Sequence, residues 1–195
     1  MAFGLLPLFF YLLKKSRRPR SVLPQVEPLL WLLTVATVYE FVGTKCFRIN
    51  SDYWFRAYLL LEFGCLWYFF SRLFKGKFRG LFYDFLCGYL LYFVYLLRFW
   101  GKAKGLQTDA YLSVVEFFFV FALSILWFRQ VFLNLEVASL AKSQGFYFIS
   151  SFIVYFAGTF FLFLIGSEEY WILNIVMCLI MRMLITIGIW KGQTT

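Results

Sequence analysis

Six apolar segments follow one another along this chain, and each is long enough to cross a lipid bilayer. An α-helix rises about 1.5 Å per residue, so about 20 residues span the roughly 30 Å hydrocarbon core of a membrane. The pattern predicts one integral membrane domain over residues 1–195, folded as an all-α transmembrane helical bundle with six or seven spans. The predicted spans are residues 29–47, 53–73, 80–100, 110–128, 146–165 and 170–190.

The composition excludes a soluble domain. Hydrophobic residues make up 63% of the chain and aromatic residues 25%, which leaves too little polar surface to face water. Lysine and arginine outnumber aspartate and glutamate by 19 to 10, an excess that in a soluble chain would suggest nucleic acid. Here the basic residues lie in short stretches between apolar segments, where they orient a membrane protein. We therefore expect the lipid bilayer as the main partner and no nucleic acid.

An earlier apolar segment, Ala2–Leu13, is short for a membrane span. Its charges follow the apolar run instead of preceding it, which is the wrong order for a cleaved signal peptide. The segment is therefore either a short first span or an interfacial segment. The basic residues after it set topology and are also candidates for binding anionic lipid headgroups. They are Lys14, Lys15, Arg17, Arg18 and Arg20.

The basic residues between the spans predict the orientation. Most of them fall in alternate connections and therefore on one side of the membrane, and the side richer in lysine and arginine is usually cytoplasmic. This rule places the C-terminus in the cytoplasm. The result is the same whether or not Ala2–Leu13 spans, because the other six segments keep their directions.

The chain contains no histidine, which excludes histidine-ligated haem, carboxylate–histidine di-iron centres and histidine-based general bases. Its four cysteines form no C-x-x-C pair, and no P-loop, HExxH or GxSxG signature is present. The last span lacks the lysine that a retinal Schiff base would need. We therefore expect no cofactor, no metal site and no catalytic residue.

Charged residues inside the spans are the main candidates for a functional site, because ionisable groups in hydrocarbon are costly and usually mark function. Asn174 joins them because it shares one face of its helix with Cys178, Arg182 and Thr186, which follow it at intervals of four residues. The ligand- or ion-binding candidates are Glu40, Arg56, Glu62, Asp84, Glu116, Asn174 and Arg182.

The estimated depths of these residues suggest ion pairs between helices. Because there are four acids and two arginines, two carboxyl groups are left without a partner. Such a group tends to hold its proton, which suits a proton-coupled or cation-binding site and equally suits a neutral structural hydrogen bond. The expected pairs are Arg56 with Glu40 or Glu116, and Arg182 with Glu62 or Asp84.

Three short runs, Val38–Gly43, Tyr58–Phe63 and Tyr170–Asn174, read VYEFVG, YLLLEF and YWILN. With these runs the chain resembles a type of small, uncharacterised bacterial inner-membrane protein with about seven spans. The resemblance implies a bacterial cytoplasmic membrane location and a helical bundle, and it brings no established activity. The matching positions include Glu40 and Glu62.

The function we predict is a non-catalytic sensor or transporter module that binds a small ligand, ion or lipid within the bundle. One alternative is an accessory or structural subunit that docks a protein partner in the membrane. A further alternative is a membrane-embedded lipid-modifying enzyme, for which Asp84 is the acid closest to a membrane face.

Overall fold

The computed structural model describes residues 2–17, 23–48, 52–75, 78–99, 105–134, 140, 143–165 and 171–191. Within these ranges the regular structure is entirely helical, which confirms the predicted all-α class. The α-helices are α1 (Ala2–Arg17), α2 (Glu27–Tyr39), α3 (Asp52–Leu73), α4 (Arg79–Leu97), α5 (Gly105–Asn134), α6 (Gln144–Ile165) and α7 (Trp171–Lys191).

Five stretches of the described helices are long and apolar enough to cross a membrane. α3 is not one of them, although its 22 residues are sufficient in length, because charged and polar residues lower its apolar character. α1 is shorter, at 16 residues. The five stretches are Pro24–Gly43, Arg79–Leu97, Asp109–Leu133, Gln144–Phe161 and Ile172–Lys191.

α3 occupies the interior of the bundle and packs against α2, α4 and α5. Neighbouring helices cover much of its surface, so that polar side chains such as Arg56 and Glu62 are buried in protein instead of facing lipid. This position explains why the most charged of the long helices is the central one. The buried apolar residues of α3 are Leu59, Phe63, Leu66, Phe69 and Phe70.

α1 belongs to the bundle, because it packs along both α7 and α2. A Cβ added at Gly4 would lie 2.5 Å from Thr37 Cγ2, so the glycine lets α1 and α2 approach closely. At the other end of α1, Lys14 donates hydrogen bonds to the backbone carbonyls of Ile189 and Trp190. A lysine at this position satisfies carbonyl groups at the C-terminal end of α7.

Two helix ends differ from regular α-helix or from the predicted bounds. α2 continues as a π-helical segment, Glu40–Cys46, and such segments are frequent at functional sites. α5 extends beyond the predicted span at both ends, and its 30 residues correspond to about 45 Å. Asp109, which the sequence placed just before the predicted span 110–128, therefore lies within α5.

The close packing of α6 against α7 can be tested by substitution of Gly158. We expect Gly158→Ala to destabilise the protein by about 1–3 kcal/mol, because the added Cβ would lie 3.0 Å from Met177 Cβ and nearer still to Met177 Cγ. The measurement is reversible unfolding of the purified protein in mixed micelles titrated with SDS.

Gly64→Ala is the matched control, because an added Cβ at this helical glycine meets nothing within 4 Å. Helix propensity alone should make this control neutral or stabilising by up to about 1 kcal/mol. Equal unfolding midpoints for the two variants would contradict the close approach of α6 and α7.

Candidate functional site

Two carboxyl groups lie deep in the described bundle, Glu62 on α3 and Glu116 on α5. Their residues are 3% and 0% exposed. Tyr58, one helical turn before Glu62, donates its hydroxyl to Glu62 Oε1 over 2.9 Å. Tyr89 reaches across from α4 and donates to Glu116 Oε1 over 2.6 Å. Each buried acid is thus held by one tyrosine.

These residues form one cluster. Glu62 and Glu116 are close enough to interact electrostatically. Both carboxyl groups also interact electrostatically with Tyr155 of α6. The Tyr155 side chain is also close enough to interact with Tyr58. We call Tyr58, Glu62, Tyr89, Glu116 and Tyr155 the acid cluster. Four helices, α3 to α6, contribute to it.

Aromatic rings enclose the acid cluster. The Phe63 ring stacks on Tyr89 with 3.7 Å between ring centroids, and the Phe119 ring lies 5.1 Å from Phe63. Phe63, Tyr89 and Phe119 are all buried. Rings packed in this way give the carboxyl groups an apolar surrounding, in which an uncompensated charge is costly.

The acid cluster has no ionic partner among the described residues. The ion pairs found there are Lys15–Glu27 and Arg56–Asp109, and neither includes a cluster residue. In addition, Glu116 Oε2 is buried and has no hydrogen-bond partner in the described part of the chain. One acid oxygen in the cluster is therefore available to a proton, a cation or a hydrogen-bond donor of a ligand.

The predicted pairing of Arg56 with Glu116 is wrong. Arg56 Nε instead donates to Asp109 Oδ1 over 3.0 Å, in a pair whose side chains are largely buried. The cause is the longer α5, which brings Asp109 into the helix and level with Arg56. Glu40, the other predicted partner, has an exposed side chain at the start of the π-helical segment.

The predicted pairing of Arg182 with Glu62 or Asp84 is also wrong. Arg182 Nη2 donates to Thr37 Oγ1 over 3.2 Å, and Arg182 Nε is buried without a hydrogen-bond partner among the described residues. Asn174, on the same face of α7, accepts a weak contact from Cys178 Sγ at 3.9 Å. Thr186 donates back to the Arg182 carbonyl. The polar stripe of α7 is thus satisfied mainly within α7 and by α2.

Asp84 lies on the exposed side of α4, in an open groove between α4 and α5. The groove has a volume of about 390 Å³, and Asp84 is its one acidic residue. A lipid-modifying enzyme would need a second acid beside it, and the described lining residues include no other acid. Tyr89 of the acid cluster is also part of the lining, which consists of Leu81, Asp84, Phe85, Gly88, Tyr89, Tyr92 and Val115.

The basic residues after the first apolar segment are partly engaged within the protein. Lys15 forms an ion pair of 2.8 Å with Glu27, which also accepts the Tyr11 hydroxyl over 2.7 Å. Lys14 binds the end of α7, as described above. Arg17 is the last residue of α1, and the two remaining candidates, Arg18 and Arg20, lie outside the described residues.

Within the described ranges, no group of three or more histidine, cysteine, aspartate or glutamate side chains is placed to hold a metal ion. The cysteines Cys46, Cys65, Cys87 and Cys178 are free thiols. The five side chains of the acid cluster itself supply carboxyl and hydroxyl oxygens, and the thiols of Cys65 and Cys178 lie within electrostatic reach of Glu62.

Comparison of this chain with protein-family models, with curated proteins and with solved structures finds no match. The resemblance carried by Val38–Gly43, Tyr58–Phe63 and Tyr170–Asn174 thus stays a prediction. Any function must be argued from the geometry of the site.

The Tyr89–Glu116 hydrogen bond can be tested by stability. We expect Tyr89→Phe to destabilise the protein by about 1–3 kcal/mol, because it leaves a second buried oxygen of Glu116 without a donor. Tyr95→Phe, on the exposed side of the same helix, is the control and should change stability by less than about 0.5 kcal/mol. The measurement is unfolding in SDS titrations, and equal effects of the two variants would count against the hydrogen bond.

The Arg56–Asp109 pair can be tested by a double-mutant cycle. Arg56→Met or Asp109→Leu alone should cost about 3 kcal/mol, because each removes one partner of a largely buried ion pair. The double variant should recover most of that loss, since it buries no charge. Additive losses in the double variant, measured by the same unfolding assay, would refute the pairing.

Proposed function

We propose that this protein is a multi-pass membrane protein that binds a small cation, the proton included, at the acid cluster, as a transporter or sensor module. The observation that carries the proposal is Glu116 Oε2, a buried carboxyl oxygen with no described partner. It lies beside a second buried acid, Glu62, and neither acid has an ionic partner among the described residues.

The charge balance supports this reading. Two carboxylates ionised together in an apolar surrounding would repel each other, and each would also lose its hydration. A bound positive charge or a bound proton removes that cost. A bound cation or proton can also be released. An acid pair that is not neutralised by an arginine or lysine of the protein is therefore suited to binding and releasing a cation.

The donor set limits the kind of cation. Carboxyl and tyrosine hydroxyl oxygens are hard ligands, whereas softer transition metals favour imidazole or thiolate. Two acids also supply fewer anionic oxygens than a dedicated calcium site usually offers. The acid cluster therefore suits a proton, an alkali cation or an ammonium group.

The membrane arrangement is part of the proposal. We propose six or seven spans, with α3 as the central span, a cytoplasmic C-terminus and a location in the bacterial cytoplasmic membrane. The burial of α3 between apolar helices supports the span count, and the uneven distribution of lysine and arginine supports the orientation. The bacterial location rests on the resemblance described above.

An accessory subunit is the second candidate function. It is favoured by α4, which leaves Leu81, Leu91 and Val94 exposed together with the carboxyl group of Asp84. An acid on the outer face of a membrane span is costly unless something covers it. A protein partner with a basic residue would do so.

The cation site is tested by ligand-dependent stability. Purified protein in detergent is unfolded across a pH series and in the presence of Na⁺, K⁺ or methylammonium. A cation at 100 times its dissociation constant should stabilise the wild type by about 2.7 kcal/mol. We expect Glu116→Gln and Glu62→Gln to abolish the response, because the amide carries no negative charge, whereas the exposed Glu40→Gln retains it.

Reconstitution into liposomes then separates transport from sensing. Cation-driven flux that is lost in Glu116→Gln identifies a transporter, and binding without flux identifies a sensor. If the wild type and Glu116→Gln respond alike to every cation and across the whole pH series, the proposed site is refuted.

A further inference from the structure

The groove beside Asp84 leads to the acid cluster from the side of the bundle. Tyr89 belongs to both features: it lines the groove, and its hydroxyl binds Glu116. Val115, the residue directly before Glu116, also lines the groove. Tyr89, which is 2% exposed, is therefore the residue that the groove and the buried site share.

The groove opens on the outer face of α4. Asp84, Phe85 and Gly88 are all exposed. A Cβ added at Gly88 would meet nothing within 4 Å, so this glycine leaves open space along the groove. Asp84, Gly88 and Tyr92 follow one another at intervals of four residues, so they form one stripe of α4 about 12 Å long.

The lining is unsuited to a hydrated inorganic ion. Apart from the Asp84 carboxyl group and the tyrosine hydroxyls, the groove presents aliphatic and aromatic surface. A sodium or potassium ion that entered along it would lose water without gaining oxygen ligands, which is costly. A molecule with an ammonium group and an apolar body does not meet this cost in the same way as an inorganic ion. Its apolar body already partitions into the bilayer and can lie against the lining of the groove.

The side chains of the groove match both ends of such a molecule. Asp84 can pair with the ammonium group as it enters, and the ring of Tyr92 is partly exposed and can contact a cation. Glu116 Oε2 can accept a hydrogen bond at the end of the path. Leu81, Phe85 and Val115 provide contact for an alkyl chain.

From this arrangement we infer that the ligand of the acid cluster is a lipophilic primary ammonium that enters from the bilayer along the α4–α5 groove. The inference rests on the proposed cation site and specifies its substrate class and its entrance. Asp84 acts in entry, and Glu116 holds the bound ammonium. The carboxyl group on the outer face of α4 is thereby covered by the ligand instead of by a protein partner.

The test uses two ammonium probes, methylammonium and octylammonium, with neutral octanol as the control for partition into the micelle. Binding is measured by the stabilisation of purified protein and by the rate at which tyrosine and tryptophan fluorescence changes after mixing. We expect octylammonium to bind the wild type at least about tenfold more tightly than methylammonium, and octanol not to bind.

Gly88→Leu places a side chain in the groove, and its Cβ would meet nothing within 4 Å, so the protein should fold. It should abolish the advantage of octylammonium while leaving methylammonium binding unchanged. Gly64→Leu, at another glycine where an added Cβ meets nothing within 4 Å, is the matched control and should keep the advantage. Asp84→Asn should slow octylammonium association at least about fivefold. Glu116→Gln should abolish binding of both ammonium probes.

The outcomes separate this inference from the proposed function. If methylammonium binds in a manner that needs Glu116, but octylammonium binds no more tightly or ignores Gly88→Leu, the entrance and the substrate class are wrong and the cation site stands. If neither probe, no alkali cation and no change of pH distinguishes the wild type from Glu116→Gln, both the inference and the proposed function are overturned.

Discussion

The fold depends on holding carboxyl groups inside an apolar bundle. Glu116 has none of its surface exposed, so its carboxyl group is removed from water. Such a group needs a donor, and Tyr89 provides one across the space between α4 and α5. That hydrogen bond and the stacking of Phe63 on Tyr89 fix how α3, α4 and α5 lie relative to one another. The polar site is therefore part of the packing and is not a later addition to it.

Hydropathy predicted the helices well, because membrane spans must be long and apolar on most sides. It failed at the ends of α5, where polar residues continue a helix past the apolar stretch. Asp109 lies just outside the predicted span, so the sequence did not identify it as the partner of Arg56. A sequence also predicts how deep a residue lies in the membrane. It does not specify in which direction around its helix the side chain points. For this reason the predicted pairing of Arg182 with Glu62 or Asp84 is wrong, and Arg182 binds Thr37.

The tyrosines of the site were missed for a different reason. The chain contains 13 tyrosines and 28 phenylalanines, so a tyrosine within a span looks like one more packing ring. The interval of four residues between Tyr58 and Glu62 was a usable signal, since such residues are neighbours on a helix. No comparable signal linked Tyr89 to Glu116 or Tyr155 to Tyr58. Those contacts cross between helices, and only the tertiary packing of the bundle brings them together.

The two kinds of buried charge in this bundle have different consequences. Arg56 and Asp109 neutralise each other, and both charged groups are side chains that stay attached to the protein. This ion pair therefore contributes to the structure. The acid cluster is neutralised by no described residue, and Arg182 donates to Thr37. An arginine bound to Glu62 would have occupied the cluster permanently. Because Arg182 binds Thr37 instead, neither acid of the cluster is paired with a basic residue among those the structure describes.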